Sequence, residues 1–65
     1  MQVVINGQDA SIEEGRSVAD LIESLELNGK IAVEINRGIV PRSQFTRHIV
    51  REGDIIEIVQ AIGGG

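Results

Sequence analysis

Three glycines, Gly63, Gly64 and Gly65, follow Ile62 at the end of the sequence. The group they offer is a free α-carboxylate on a slender, unbranched arm. Glycine has no Cβ, so Gly63 and Gly64 suit a segment that threads a narrow channel and lets another protein's active site close around the terminal carboxyl. Set against this is a terminus that simply frays. Other candidates for chemistry are few. His48 is the only histidine, and no local spacing supplies the partners of a metal site or a charge relay, so it reads as a surface or loop residue. Glu13 and Glu14 alternate sides in extended chain and read as a solvated turn rather than an acid and base pair. Gly15 follows an edge strand and precedes Arg16 and Ser17, which is not a phosphate-cradling loop. Arg42, between Pro41 and Ser43, either offers its guanidinium to a partner's carboxylate or is an exposed arginine in a turn.

Composition excludes whole classes of function. The 65 residues contain no Cys, no Trp, no Tyr and one Phe. Disulfides, zinc-thiolate sites, iron-sulfur clusters and a thiol nucleophile are therefore ruled out, and one aliphatic core is all that the chain can build. A formal charge of -4 argues against a phosphate-binding surface and suits either a basic protein partner or solubility alone. Residues 1–5 lack a basic leader, and no stretch approaches the roughly 20 apolar residues of a membrane span, so the expected location is the cytoplasm.

The elements that must carry these residues follow from periodicity. Val3, Val4 and Ile5 form a β-branched run ending at Asn6-Gly7, a dipeptide suited to a type I′ hairpin turn. Residues 8–12 return as an edge strand. Ser17 stands as a helix N-cap with Asp20 three residues on. Val18, Leu21, Ile22 and Leu25 make one apolar stripe, and Asn28-Gly29 is the expected C-cap, with Lys30 at the negative end of the helix dipole. Over residues 31–36 the period becomes two, with Ile31, Val33 and Ile35 on one face and Ala32, Glu34 and Asn36 on the other. Arg37-Gly38 turns into Ile39-Val40, which Pro41 ends. Residues 43–48 are a loop or short helical turn carrying Phe45 inward, and Glu52-Gly53-Asp54 is a further turn.

Residues 55–61 are the most β-prone stretch. If Ile56 and Ile58 face the core, then Ile55, Glu57, Val59 and Ala61 form an outer surface more apolar than solubility requires, a common property of partner sites. Two alternatives stay open: that these residues pack under a loop, or that the strand is buried on both faces. The order of elements gives an α+β domain with one helix over one sheet face, and the tail, residues 62–65, is expected to be mobile beyond a domain of residues 1–61.

Asn6-Gly7 after an apolar first strand, the segment Ile39-Val40-Pro41-Arg42-Ser43, and the run from Gly53-Asp54 through Gln60-Ala61-Ile62 to the three glycines resemble the ThiS-type sulfur carriers of thiamine biosynthesis. The resemblance spans the chain. It implies a ubiquitin-like β-grasp fold: a mixed sheet of four or five strands around one helix, with the first and last strands parallel at its centre. It further implies that the chain is a protein co-substrate rather than an enzyme. Gly65 would be the site of adenylation and thiocarboxylation, Ile62, Gly63 and Gly64 would enter partner active sites, and Ile55, Glu57, Val59 and Ala61 would dock them. No cofactor is expected to be bound stably; ATP and magnesium would be used by an adenylating enzyme. The other implied partners are thiazole synthase and a sulfur donor such as a cysteine desulfurase or rhodanese-like protein. No nucleic acid, membrane or metal is expected, and a monomer suits a carrier that must leave one partner to reach the next. Two other readings share the tail. One is a related carrier for molybdopterin or tRNA thiolation; the other is a ubiquitin-like modifier or a plain binding module.

Overall fold

The computed structural model describes residues 1–61. Strand β1 (Gln2–Ile5) returns as β2 (Gln8–Ser11) through Asn6 and Gly7. Both turn residues have positive φ, 49° and 80°, the pair of left-handed conformations that a type I′ turn requires and that Asn and Gly adopt most readily. Helix α1 (Val18–Ser24) follows, then β3 (Ile31–Ile35), β4 (Gly38–Val40), a single turn of 3-10 helix at Arg42–Gln44, and β5 (Ile55–Gln60). The five strands form one sheet in the order β2-β1-β5-β3-β4. β1 and β5 are parallel, whereas the other neighbours are antiparallel. A single helix against a mixed sheet with first and last strands paired near its centre is the β-grasp arrangement.

Helix α1 starts where its cap residues are. The Asp20 backbone N–H donates to Ser17 Oγ at 3.1 Å and the Ser17 N–H donates to Asp20 Oδ2 at 3.0 Å, a reciprocal capping box. Its end differs from the expectation at Asn28-Gly29. The last helical residue is Ser24 and the cap is Leu25. Glu26 takes the left-handed conformation at φ 58°. The Glu26 N–H donates to Glu23 O at 3.0 Å and the Leu27 N–H to Ile22 O at 3.3 Å, the two bonds of a Schellman motif. The reversal brings Leu27 back onto the core beside Ile22, and that packing is the physical reason that the helix stops one turn early. In consequence Leu25 is not part of the buried stripe: it is 42% exposed. Lys30 lies beyond the helix, whose last turn holds no basic residue.

The core beneath the helix is aliphatic: Val3, Val33, Ile35, Val40, Ile56 and Ile58 of the sheet, and Val50 of the segment before β5, meet Val18 and Leu21. Val50, 2% exposed and outside any strand, is one that periodicity does not reveal. Phe45 is half-buried against this cluster. The turn between β3 and β4 is displaced by one residue from Arg37-Gly38. Asn36 and Arg37 take the left-handed positions, φ 52° and 71°, and Gly38 is already the first residue of β4.

Candidate functional site

Strand β5 is the element that leads to the C-terminal segment, and its placement is over-determined. Ile56 is completely buried and Ile58 nearly so, while Ile55 and Val59 are 54% and 65% exposed. Glu57 and Ala61 are exposed as well. Strict alternation thus fixes one face of β5 to the core and turns the other outward. Among the described residues no loop covers the outward face, and the strand is not buried on both faces.

Two asparagines clamp β5 along its edges. At the β1 side the backbone ladder runs only through Val4 and Ile5, opposite Ile55 and Ile56. Beyond it the Asn6 side chain substitutes for backbone: Oδ1 accepts from the Ile58 N–H at 2.8 Å, and Nδ2 donates to Ile58 O at 3.2 Å. At the β3 side Asn36 Oδ1 accepts from the Ile55 N–H at 3.0 Å, and its Nδ2 donates to Asp54 Oδ1 at 3.0 Å. Asp54 is only 8% exposed, and its Oδ2 accepts from the Arg51 N–H at 2.8 Å. Its buried carboxylate therefore closes the turn before β5. From the sequence Asn6 reads only as a turn former and Asp54 only as part of a turn. The side-chain bonds between Asn6 and Ile58 and between Asn36 and Asp54 are non-local, and for Asn6 the one sequence signal is an Asn in a tight turn that ends a strand.

The far end of β5 is tied down too. The Gln60 amide donates to Asn28 O at 2.9 Å, and the Ala61 N–H donates to Lys30 O at 2.9 Å. Whatever follows Ala61 therefore departs from a fixed point next to the start of β3. Ile62, Gly63, Gly64 and Gly65 lie outside the described residues.

The outward face spreads beyond β5. Ala32 stands opposite Val59, and Glu34 opposite both Glu57 and Ile39. Ile39 is 79% exposed. A band of Ile39, Ile55, Val59 and Ala32 thus surrounds two carboxylates. Alternation along the sequence already puts Glu34 on the outward side of its strand; that it meets Glu57 and Ile39 follows only from strand register.

The remaining candidates assemble no reactive constellation. Glu13 pairs with Arg16 at 2.6 Å rather than with Glu14, and the hydrogen bond and charge of Arg16 lower the Glu13 pKa. Arg42 donates to Gly29 O at 3.1 Å. His48 serves through its backbone, its carbonyl accepting from the Val18 N–H at 2.9 Å. Among the described residues there is no group of three or more His, Cys, Asp or Glu side chains placed to hold a metal ion, and no helix long and apolar enough to cross a membrane.

Comparison with known proteins bears directly on this geometry. The family model described as the ThiS family matches residues 3–65. This chain belongs to the ThiS family. Among its relatives, the sulfur carrier protein ThiS of Escherichia coli strain K12 is 41% identical, with all of both chains covered. A thiazole synthase of Paramagnetospirillum magneticum is also 41% identical over the whole of this chain, which corresponds to 20% of that protein. The crystal structure of the thiamine biosynthesis protein ThiS from Geobacter metallireducens superposes with a TM-score of 0.80 at 27% identity, covering both chains fully.

Proposed function

We propose that this chain is a sulfur carrier of thiamine biosynthesis, acting in the cytoplasm as a monomeric co-substrate of other enzymes. The observation that carries the reading is the end-to-end likeness to the E. coli sulfur carrier in a chain that ends in Gly-Gly-Gly. The Gly65 carboxylate attacks the α-phosphorus of magnesium ATP on an adenylating partner, releasing pyrophosphate and giving an acyl-adenylate. A carboxylate resists nucleophiles, whereas a mixed anhydride with AMP yields to them. The terminal sulfur of a protein persulfide, supplied by a cysteine desulfurase or rhodanese-like donor, displaces AMP and forms an acyl disulfide. A second thiol then attacks the donor's sulfur, forming a disulfide and releasing the Gly65 thiocarboxylate. Thiazole synthase takes up that sulfur. The likeness to a thiazole synthase over a fifth of its length supports this last partner.

In this reading residues 1–61 are the handle and 62–65 the working arm, with Ile62, Gly63 and Gly64 entering the partner's active site. Ile55, Glu57, Val59 and Ala61 form the docking surface, whose outward placement supports that role. The test is intact-protein mass spectrometry after incubation with a cognate adenylating enzyme, magnesium ATP and a persulfide donor. The expected product carries one sulfur in place of one oxygen, localised to Gly65. Deletion of Gly65, or Gly64→Trp, abolishes it without altering the circular dichroism spectrum. Product formation by the deleted chain would refute the proposal. Val59→Glu raises KM for the carrier with little change in melting temperature, since Val59 is 65% exposed; a large loss of stability would remove Val59 from the docking surface.

A further inference from the structure

Glu34 and Glu57 are directly opposed across β3 and β5. The flanking backbone bonds, Asn36 N–H to Ile55 O and Ala61 N–H to Lys30 O, put this pair at a hydrogen-bonded position, where opposed Cα atoms lie about 5.5 Å apart. Like charges so placed oppose folding, and nothing relieves them: among the described residues the ion pair is that of Arg16 and Glu13. The two carboxylates, with Asn36, Arg37 and Ile55, line a surface hollow of about 480 Å³. Arg37 faces the same hollow but pairs with neither, and the two anions outnumber it. Exposed Ile39, Ile55 and Val59 stand around the hollow.

Resting on the sulfur-carrier reading, we infer that the Glu34–Glu57 pair is a receptor for an arginine projecting from an apolar patch of the adenylating partner. A guanidinium offers a planar fork of donors that spans two carboxylates at once, and the apolar rim excludes water from the contact. A second copy of this chain fits poorly, because a symmetric contact through this face would gather four carboxylates in a chain already at -4. The pair also explains how an otherwise apolar sheet face discriminates between partners: an apolar surface without the cation leaves both carboxylates desolvated and unpaired.

The test measures KM and kcat for the carrier in ATP–pyrophosphate exchange by the cognate adenylating enzyme, across a series of salt concentrations. The double variant E34Q/E57Q is compared with E14Q/E23Q, which removes the same charge from exposed positions elsewhere. The expected result is a KM increase of about tenfold or more for E34Q/E57Q, with kcat unchanged, a shallower salt dependence and an unchanged or higher melting temperature. E14Q/E23Q stays near wild type. Equal shifts in both variants would reduce the effect to overall charge and overturn the inference, as would wild-type KM in E34Q/E57Q. Wild-type chain that supports no exchange at all would instead overturn the sulfur-carrier reading, and the receptor with it.

Discussion

Replacing Asn6 by glycine isolates one side chain's contribution to the position of β5. Glycine accepts φ 49° without strain, so the change removes the two hydrogen bonds to Ile58, at 2.8 and 3.2 Å, and leaves the turn possible. Each bond contributes about 0.5–1.5 kcal/mol net, and the added freedom of the unfolded chain costs about 0.4–1 kcal/mol. The expected loss is therefore about 1.4–4 kcal/mol. A chain of this size has about 3–10 kcal/mol in total, so the melting temperature falls by about 6–30 °C. Asn6→Asp keeps the acceptor for the Ile58 N–H and loses the donor, and it recovers about half. Urea unfolding must be followed by far-ultraviolet circular dichroism, because the chain lacks Trp and Tyr. If Asn6→Gly lies within about 0.5 kcal/mol of wild type, the clamp contributes nothing and β5 is held by its core face alone.

Two further perturbations test other parts of the fold. Leu21→Ala removes a side chain that is 3% exposed and is expected to cost about 2–5 kcal/mol, whereas Leu25→Ala, at 42% exposure, costs under about 1.5 kcal/mol; equal losses in denaturant titration would contradict the early helix end. The Ser17 backbone N–H, then the Ser17 side chain, hold the Asp20 carboxyl below its ordinary value of 3.8. A depressed folded pKa means stability that is fully present above the ordinary value and lost as pH falls through the folded one. Melting temperatures of wild type and Asp20→Asn should differ at neutral pH and converge below about pH 3.8; a constant difference would show that the charge plays no part in the cap.

How far the sequence discloses this molecule depends on whether a feature is set locally. The alternation of Ile31, Val33 and Ile35, and of Ile56 and Ile58, survives folding because a period of two has only one way to bury an apolar face. Asn6-Gly7 likewise takes the turn its residues favour. The helix end is not local. Asn28-Gly29 is the better left-handed pair by residue type, yet Glu26 takes that conformation because it returns Leu27 to the core. The turn at Asn36-Arg37 is displaced for a similar reason: it lets Asn36 reach both Ile55 and Asp54. Of the outward face, the β5 residues were legible from alternation alone. Alternation likewise turns Glu34 outward, but its place opposite Glu57, and that of Ile39 opposite Glu34, exist only once two separate strand pairings are fixed.

The division of labour within β5 explains why such a small domain can carry a docking face at all. Polar and apolar groups that hold the strand lie on its inner face and at its edges: Ile56 and Ile58 below, Asn6 and Asn36 at the sides, Gln60 and Ala61 at the exit. None of these needs the outward side chains, so Ile55, Glu57 and Val59 are free of structural duty, and the opposed charges of Glu34 and Glu57 are tolerated. Stability and recognition should therefore separate by face. Changes at Asn6 or Ile56 are expected to lower melting temperature and reduce turnover only as folded chain is lost. Changes at Val59 or Glu57 are expected to alter KM while melting is preserved. A substitution on the outward face that unfolded the chain, or one at the clamp that altered KM of fully folded protein, would break that separation.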